Sequence, residues 1–296
     1  MLKKFIYFIL LLLGLVVFAY VVGVYLNNRD LPRPDAEVMQ QRLERSVQWL
    51  VNNETDLLQQ ANPMLWWMLH ETAKLSHDER ISGLLNKYRQ KYPRVQQSGW
   101  GPLFGKPPRS YLSAYSVEGL PYYNQHFIYA LNCAADIAEN ILVVEQQNQA
   151  NFCHQANYIY RPACITHQLM GINFLLIKNC DLLPNIDEVV KSLQSDIKLQ
   201  LSFDIRVVDV YLQRVLMLLF TGAEEEVKPV WIQQVIDHQL ADGGWGDFVS
   251  LLPISDEKSL GFSSRILSMG EERSSFHATA QGALILTSLL KNEAKQ

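Results

Sequence analysis

The sequence predicts an all-α protein, an α/α toroid of about five outer and inner helix pairs preceded by one transmembrane helix. Three observations predict it. A long apolar run without charge opens the chain. Amphipathic and apolar helix patterns then alternate to its end. A Gly-Trp-Gly turn occurs twice, each time followed by a loop and a helix that opens with histidine.

Phe5 to Leu26 holds no charge and no proline. A helix of that length spans about 33 Å, enough for a bilayer core of roughly 30 Å. A cleaved signal peptide would have a shorter apolar region and a small-residue cleavage site. Tyr25-Leu26-Asn27-Asn28 offers no such site. Lys3 and Lys4 precede the run and favour a cytoplasmic N-terminus, although Arg29 and Arg33 come after it. The division expected is therefore a cytoplasmic tail at 1–4, an anchor at 5–26, a linker at 27–35 and a toroid domain at 36–296. The location expected is the cytoplasmic (inner) membrane, with a single pass and the domain outside the cytoplasm.

Pro32 and Pro34 forbid helix in the linker, and Asp35 is placed to cap the first helix of the domain. Ala36–Asn52, Ser76–Tyr92, Ile186–Leu199 and Pro229–Leu240 carry charge on one face, as outer helices should. Pro63–Leu75, Gln125–Ala138, Ile165–Asn179, Ile205–Phe220 and Phe276–Leu290 are apolar on most sides, as buried inner helices should be. Ile137–Gln147 continues one of these as a fifth outer segment. A stacked solenoid of helical hairpins would use the same alternation. Long runs of β alternation are lacking.

The repeat favours the toroid. Gln97-Ser98-Gly99-Trp100-Gly101 and Asp242-Gly243-Gly244-Trp245-Gly246 each come after an outer helix. Each leads through a loop of roughly 25–30 residues to an inner helix opening with His126 or His277. Gln239, Gly243 and Trp245 meet a Gln-x3-Gly-x-Trp pattern, and this stretch resembles the QW-type repeat of terpene cyclases and protein prenyltransferase β subunits. The clear likeness runs from Trp231 to Leu290, and Ser46-Val47-Gln48-Trp49-Leu50 resembles the helix that opens such repeats. The resemblance implies the fold more than the activity. It puts a zinc-ligating histidine at His277 and an Asp-x-Cys at Asp204 to Arg206. Arg206 stands where the thiolate is needed, and a cation cannot ligate zinc. The aspartate cluster of the terpene cyclases is absent.

Parallel inner helices gather their N-termini at one mouth. His126, His167 and His277 each open such a helix. Together they are candidates for acid, base and anion-clamp roles, or for a metal site. Helix N-termini add partial positive charge there and favour an anionic ligand. Trp100 and Trp245 are candidate walls for a sugar or acyl chain, and Asp242 lies in a loop on the same side. Asp204, with Arg206, Asp209 and Arg214, falls on an apolar inner helix, either facing the cavity or forming an internal ion pair. The aromatic loop Gly101–Asn124 offers a lid or wall, with Arg109 as an anion contact. For each of these the plainer role is structural: a capping histidine, a packing tryptophan, a solvated charge.

Removing Lys3 and Lys4 takes the formal net charge from −4 to about −6, which argues against a nucleic-acid partner. Cys133, Cys153, Cys164 and Cys180 allow three pairings. In an oxidising compartment Cys153 with Cys164 would close a short loop, and buried free thiols are the equal alternative. No Cys-x-x-Cys pair suggests a zinc knuckle. The sequence identifies no cofactor. Two functions are compatible with these features. One is a membrane-anchored domain binding a ligand at the barrel mouth, as a lyase or hydrolase of an envelope polymer or lipid-linked substrate. The other is a non-catalytic scaffold that holds a protein partner.

Overall fold

The computed structural model describes residues 2–109, 111–180 and 183–293. Among these the chain is mainly helical. The order is α1 Leu2–Leu26, α2 Ala36–Asn52, α3 Glu54–Leu57, α4 Pro63–Ser76, α5 Glu79–Lys91, α6 Pro93–Gln96 and α7 Tyr122–Asn132. Then come α8 Ala135–Asn140, α9 Leu142–Gln146, α10 Cys164–Ile177, α11 Ile186–Phe203, α12 Asp209–Phe220, α13 Pro229–Asp237 and α14 Phe276–Glu293.

Local chemistry explains the boundaries. Pro63 opens α4 where no N–H is needed, and the Asn62 side chain accepts the N–H of Met64. Asp78 caps α5 in the same way. Asp35 occupies the cap position of α2, but its side chain makes no cap bond. Cys133 ends α7 in a left-handed turn at φ 49°. The outer segment expected over Ile137–Gln147 is two short helices, α8 and α9, broken at Ile141.

The inner helix expected from Ile205 starts instead at Asp209, and α11 runs on to Phe203. The reason is a buried ion cluster at the corner. Asp204 accepts Arg206 Nε at 2.7 Å and Arg214 Nη1 at 2.7 Å, and it also accepts the backbone N–H of Arg206 at 3.1 Å. Buried charge is tolerable when paired in this way. The cluster holds an irregular link between α11 and α12.

The last long loop is not a loop. β1 (Trp245–Gly246) pairs antiparallel with β5 (Ser274–Ser275), which closes the Gly-Gly-Trp turn onto the start of α14. Between them lies an antiparallel sheet of β2 (Phe248–Pro253), β3 (Ser259–Ser263) and β4 (Leu267–Gly270). Short strands rich in serine and glycine hid this sheet from a search for long alternation.

Helix α1 is long and apolar enough to cross a membrane. Its C-terminal end is not on a free tether. Asn27, in the expected linker, is 2% exposed. Its amide donates to the Leu201 carbonyl at 2.6 Å, and its side-chain oxygen accepts the Tyr211 hydroxyl at 3.0 Å. Its carbonyl accepts Trp231 Nε1 at 3.0 Å. Three long-range bonds thus fix the helix to α11, α12 and α13.

Cys133 is bonded to Cys180 and Cys153 to Cys164. The first ties the end of α7 to the segment after α10. The second closes the loop that leads into α10.

Candidate functional site

Five helices, α4, α7, α10, α12 and α14, each contribute their first turns to one cavity of about 420 Å³. Its lower wall is apolar: Trp67 and Met68 from α4, Phe127 from α7, Met170 from α10 and Leu216 from α12. Its polar groups come from the same helices, one turn nearer their N-termini. These are Asn62, Asn124, His167, Asp209, Gln213 and His277, with Gln281 behind His277.

The polar groups are organised. His277 Nδ1 lies 2.5 Å from Asp209 Oδ1, and Gln281 Nε2 lies 3.2 Å from the same ring nitrogen. That leaves Nε2 of His277 for the cavity. His167 stacks on Tyr123 with ring centroids 4.3 Å apart and 19° between planes. Thr166 Oγ1 donates to Gln213 Oε1 at 2.7 Å, so the Gln213 amide nitrogen is not used by that bond. About a third of the His277 side chain (34%) and 23% of Asp209 remain accessible, because both border the cavity.

The two histidines are driven in opposite directions. Burial disfavours the imidazolium of His277, but the charge of Asp209 and its hydrogen bond outweigh that and hold the pKa above the ordinary 6.5. At His167 burial acts first and the neighbouring His277 second, against a weaker pull from Asp209, and the pKa falls to about 4. Between about pH 4 and 6.5 the cavity thus holds a largely cationic His277 and a largely neutral His167. Titratable groups pushed apart in one site are the pattern of an acid and base pair.

A second recess of about 560 Å³ adjoins the first and shares Tyr123, Ala163, His167 and Asp209 with it. Its outer rim carries Arg161, Arg265, Ser264 and Tyr160. The Arg161 guanidinium lies over Tyr122 at 5.1 Å and Tyr158 at 5.2 Å. The site therefore runs from a cationic vestibule, past the histidines, to an apolar floor at Trp67. A wider recess of about 720 Å³ between α7–α9 and α11 carries carboxylates, including Glu139 and Glu188, but no histidine.

The candidates from the sequence divide clearly. His167 and His277 meet in this cavity. His126 does not. It is wholly buried, its Nε2 lies 3.0 Å from Asn148 Oδ1, and burial lowers its pKa to about 4. Its ring lies against Gly171, where a Cβ would come within 2.1 Å of Nδ1. The three histidines therefore do not share a metal. Among the described residues no group of three or more His, Cys, Asp or Glu is placed to hold one.

Trp245 is 1% exposed, its Nε1 donates to the Val235 carbonyl at 2.7 Å, and its ring packs on Gly282 of α14. Trp100 is half-buried and packs edge-on to Phe127. Neither lines the cavity. Asp242 accepts Trp49 Nε1, the Gly244 N–H and the Ser274 hydroxyl at 2.9, 3.0 and 2.7 Å, so it staples the turn. Asp204 is spent on the two arginines. Arg109 lies in a separate recess with Tyr111. The loop Gly101–Asn124, apart from Ser110, which is outside the described residues, does not plug the mouth. Only Tyr123 and Asn124, in the first turn of α7, reach it.

Sequence reasoning missed Gln281 and gave Trp67 no site role; it placed Tyr123 only within the aromatic loop Gly101–Asn124, and Asp209 only among the charges on an apolar helix. Asp209 opens its inner helix as the histidines open theirs, but with that helix expected from Ile205 the position was not visible in the sequence.

No protein-family model matches the chain, and neither the curated proteins nor the solved structures compared with it give a match.

Proposed function

We propose that this chain is a membrane-anchored, extracytoplasmic protein that binds an amphipathic anionic ligand and acts on it by general acid–base chemistry. The observation that carries the reading is the Asp209–His277 pair, at 2.5 Å, in the same cavity as a neutral His167. His277, held as a cation, donates a proton to a leaving oxygen. His167, uncharged, takes one from water in a hydrolase or from carbon in a lyase. The converging helix N-termini and the arginines of the vestibule favour a phosphate or carboxylate head. The apolar floor suits an acyl or prenyl portion. A lipid-linked substrate fits such a closed floor better than a long polymer does.

The architecture belongs to the same proposal. Five apolar helices bordering one cavity, each backed by a more polar helix or helix pair, support an α/α toroid akin in shape to the terpene cyclase and prenyltransferase barrels. Two disulfides suit an oxidising compartment. Lys3 and Lys4, in the first turn of α1, support an inner-membrane anchor with the domain outside the cytoplasm.

Hexyl phosphate is a soluble probe of the ligand class, and Trp67 in the cavity wall is a native fluorophore. The full chain in lipid nanodiscs should bind hexyl phosphate and respond in tryptophan emission, and hexanol should bind much more weakly. Asp209→Asn should lose roughly ten- to a hundredfold in hexyl phosphate affinity, the range expected when a charge-assisted bond is removed. Equal affinity for hexanol and hexyl phosphate would rule out an anion-binding site.

A further inference from the structure

The sheet β2–β4 is built with its apolar face outward. Strand register places Leu252, Leu260 and Met269 in one row and Val249, Phe262 and Leu267 in the next, on the same face. Every one of these six is half-exposed or exposed, with Leu252 at 55%, Leu267 at 51% and Met269 at 52%. The opposite face carries Ser250, Gly261, Ser268 and Gly270, and Phe248, 7% exposed, lies across the two glycines. A one-sided sheet in water turns its apolar residues to the core. Here the small and polar residues lie on the face that Phe248 covers, and the larger apolar residues lie on the other. Such a surface marks a contact.

The anchor supplies the occupant. A bilayer core of roughly 30 Å takes about 20 helical residues, which counted from Phe5 ends near Val24. The domain already touches α1 short of that point. The Tyr20 hydroxyl donates to the Phe203 carbonyl at 3.0 Å, and Gly23 lies so close to Ile205 that a Cβ there would be 3.0 Å from its Cδ1. Phe203 is 53% exposed beside the helix. Arg206, which follows Ile205, reaches the Ser263 carbonyl at 3.4 Å, at the end of β3. The turn after β3 carries Ile266, 64% exposed, into β4. Phe203 and Ile205, exposed beside the membrane helix, are thus joined to the sheet edge through Arg206.

We propose that this sheet face rests on the bilayer that holds α1. Asp256, Glu257 and Lys258 at the far turn and Arg265 at the near turn are exposed, so the sheet lies with its face on the lipid and its ends in the headgroups. Ser264 and Arg265, in the β3–β4 turn, also border the vestibule. A sheet in that position puts the cationic vestibule at the lipid surface. The inference rests on α1 spanning a bilayer and not on the chemistry of the cavity.

The test uses the full chain in phosphatidylcholine vesicles, with Leu252→Trp and Met269→Trp made separately. Both positions are half-exposed, so a larger ring displaces no packed neighbour, and either variant suffices if the other fails to fold. The emission of the parent chain is subtracted, and acyl chains are replaced by brominated ones. The added tryptophan should emit at short wavelength and be quenched by the bromines, as expected for a side chain at the headgroup and acyl boundary. Emission untouched by brominated lipid, from chains that remain with the vesicles in alkaline carbonate, would overturn the proposal. That holds whether the wavelength indicates water or a second copy of the chain.

Discussion

Gly171 decides how closely α10 approaches the buried ring of His126, because a Cβ there would lie 2.1 Å from Nδ1. Gly171→Ala should therefore destabilise the domain by about 1–3 kcal/mol through overpacking, read as a lower unfolding temperature in detergent. The histidines also set opposite pH slopes. Unfolded His277 titrates near 6.5 and folded His277 above it, so its ion pair with Asp209 stabilises fully below 6.5 and is lost as pH rises through the folded value. Folded His126 and His167 titrate near 4, so between 6.5 and 4 the unfolded chain takes up protons that the native chain refuses. Stability should therefore fall as pH drops across that window. Unfolding temperatures of His167→Gln should vary less over the same window than those of the parent, and an unchanged slope would mean that His167 is not held neutral. At this scale the sequence told which helices open with a titratable residue. It did not tell which way each ring turns. One residue of rotation separates His167, which faces the cavity, from Gln168, which donates to the Gln147 carbonyl at 2.8 Å.

Helix α2 was legible to the residue, because its amphipathic stripe and the prolines before it are local signals. The start of α12 was not, because it is set by Asp204 meeting Arg214 across ten positions. The sheet was not, because its more exposed face is apolar and the face that Phe248 covers is serine and glycine, the reverse of the usual pattern. The disulfides were legible only as options. With both closed, a chain alkylated without reductant should show no free thiol by mass, and labelling of any of the four cysteines would contradict the pairing. Loop length then ranks them. Removing Cys133–Cys180, which spans 47 positions, should cost about 4 kcal/mol, and removing Cys153–Cys164, which spans 11, about 3 kcal/mol.

For the whole molecule, the pieces form one axis. The long apolar helix α1 is bolted to α11–α13 by Asn27, Arg206 of the α11–α12 link reaches the sheet, and the vestibule shares the β3–β4 turn with the sheet. The cavity then leads inward to Trp67. The long apolar helix and the mainly helical domain were readable from hydropathy and helical period. The convergence of five helices on one cavity was expected from their alternation, but its contents came from neighbours distant in sequence. The most direct measurement is the affinity of hexyl phosphate for the full chain in nanodiscs, read by tryptophan emission from pH 6 to 9 in the parent and in Asp209→Asn. The titratable groups facing His277 are Asp209, His167 and Tyr123. The account predicts tight binding at the acid end that weakens as His277 loses its proton, and in Asp209→Asn weak binding with that step moved to lower pH. Affinity that is independent of pH and the same in both chains would contradict it.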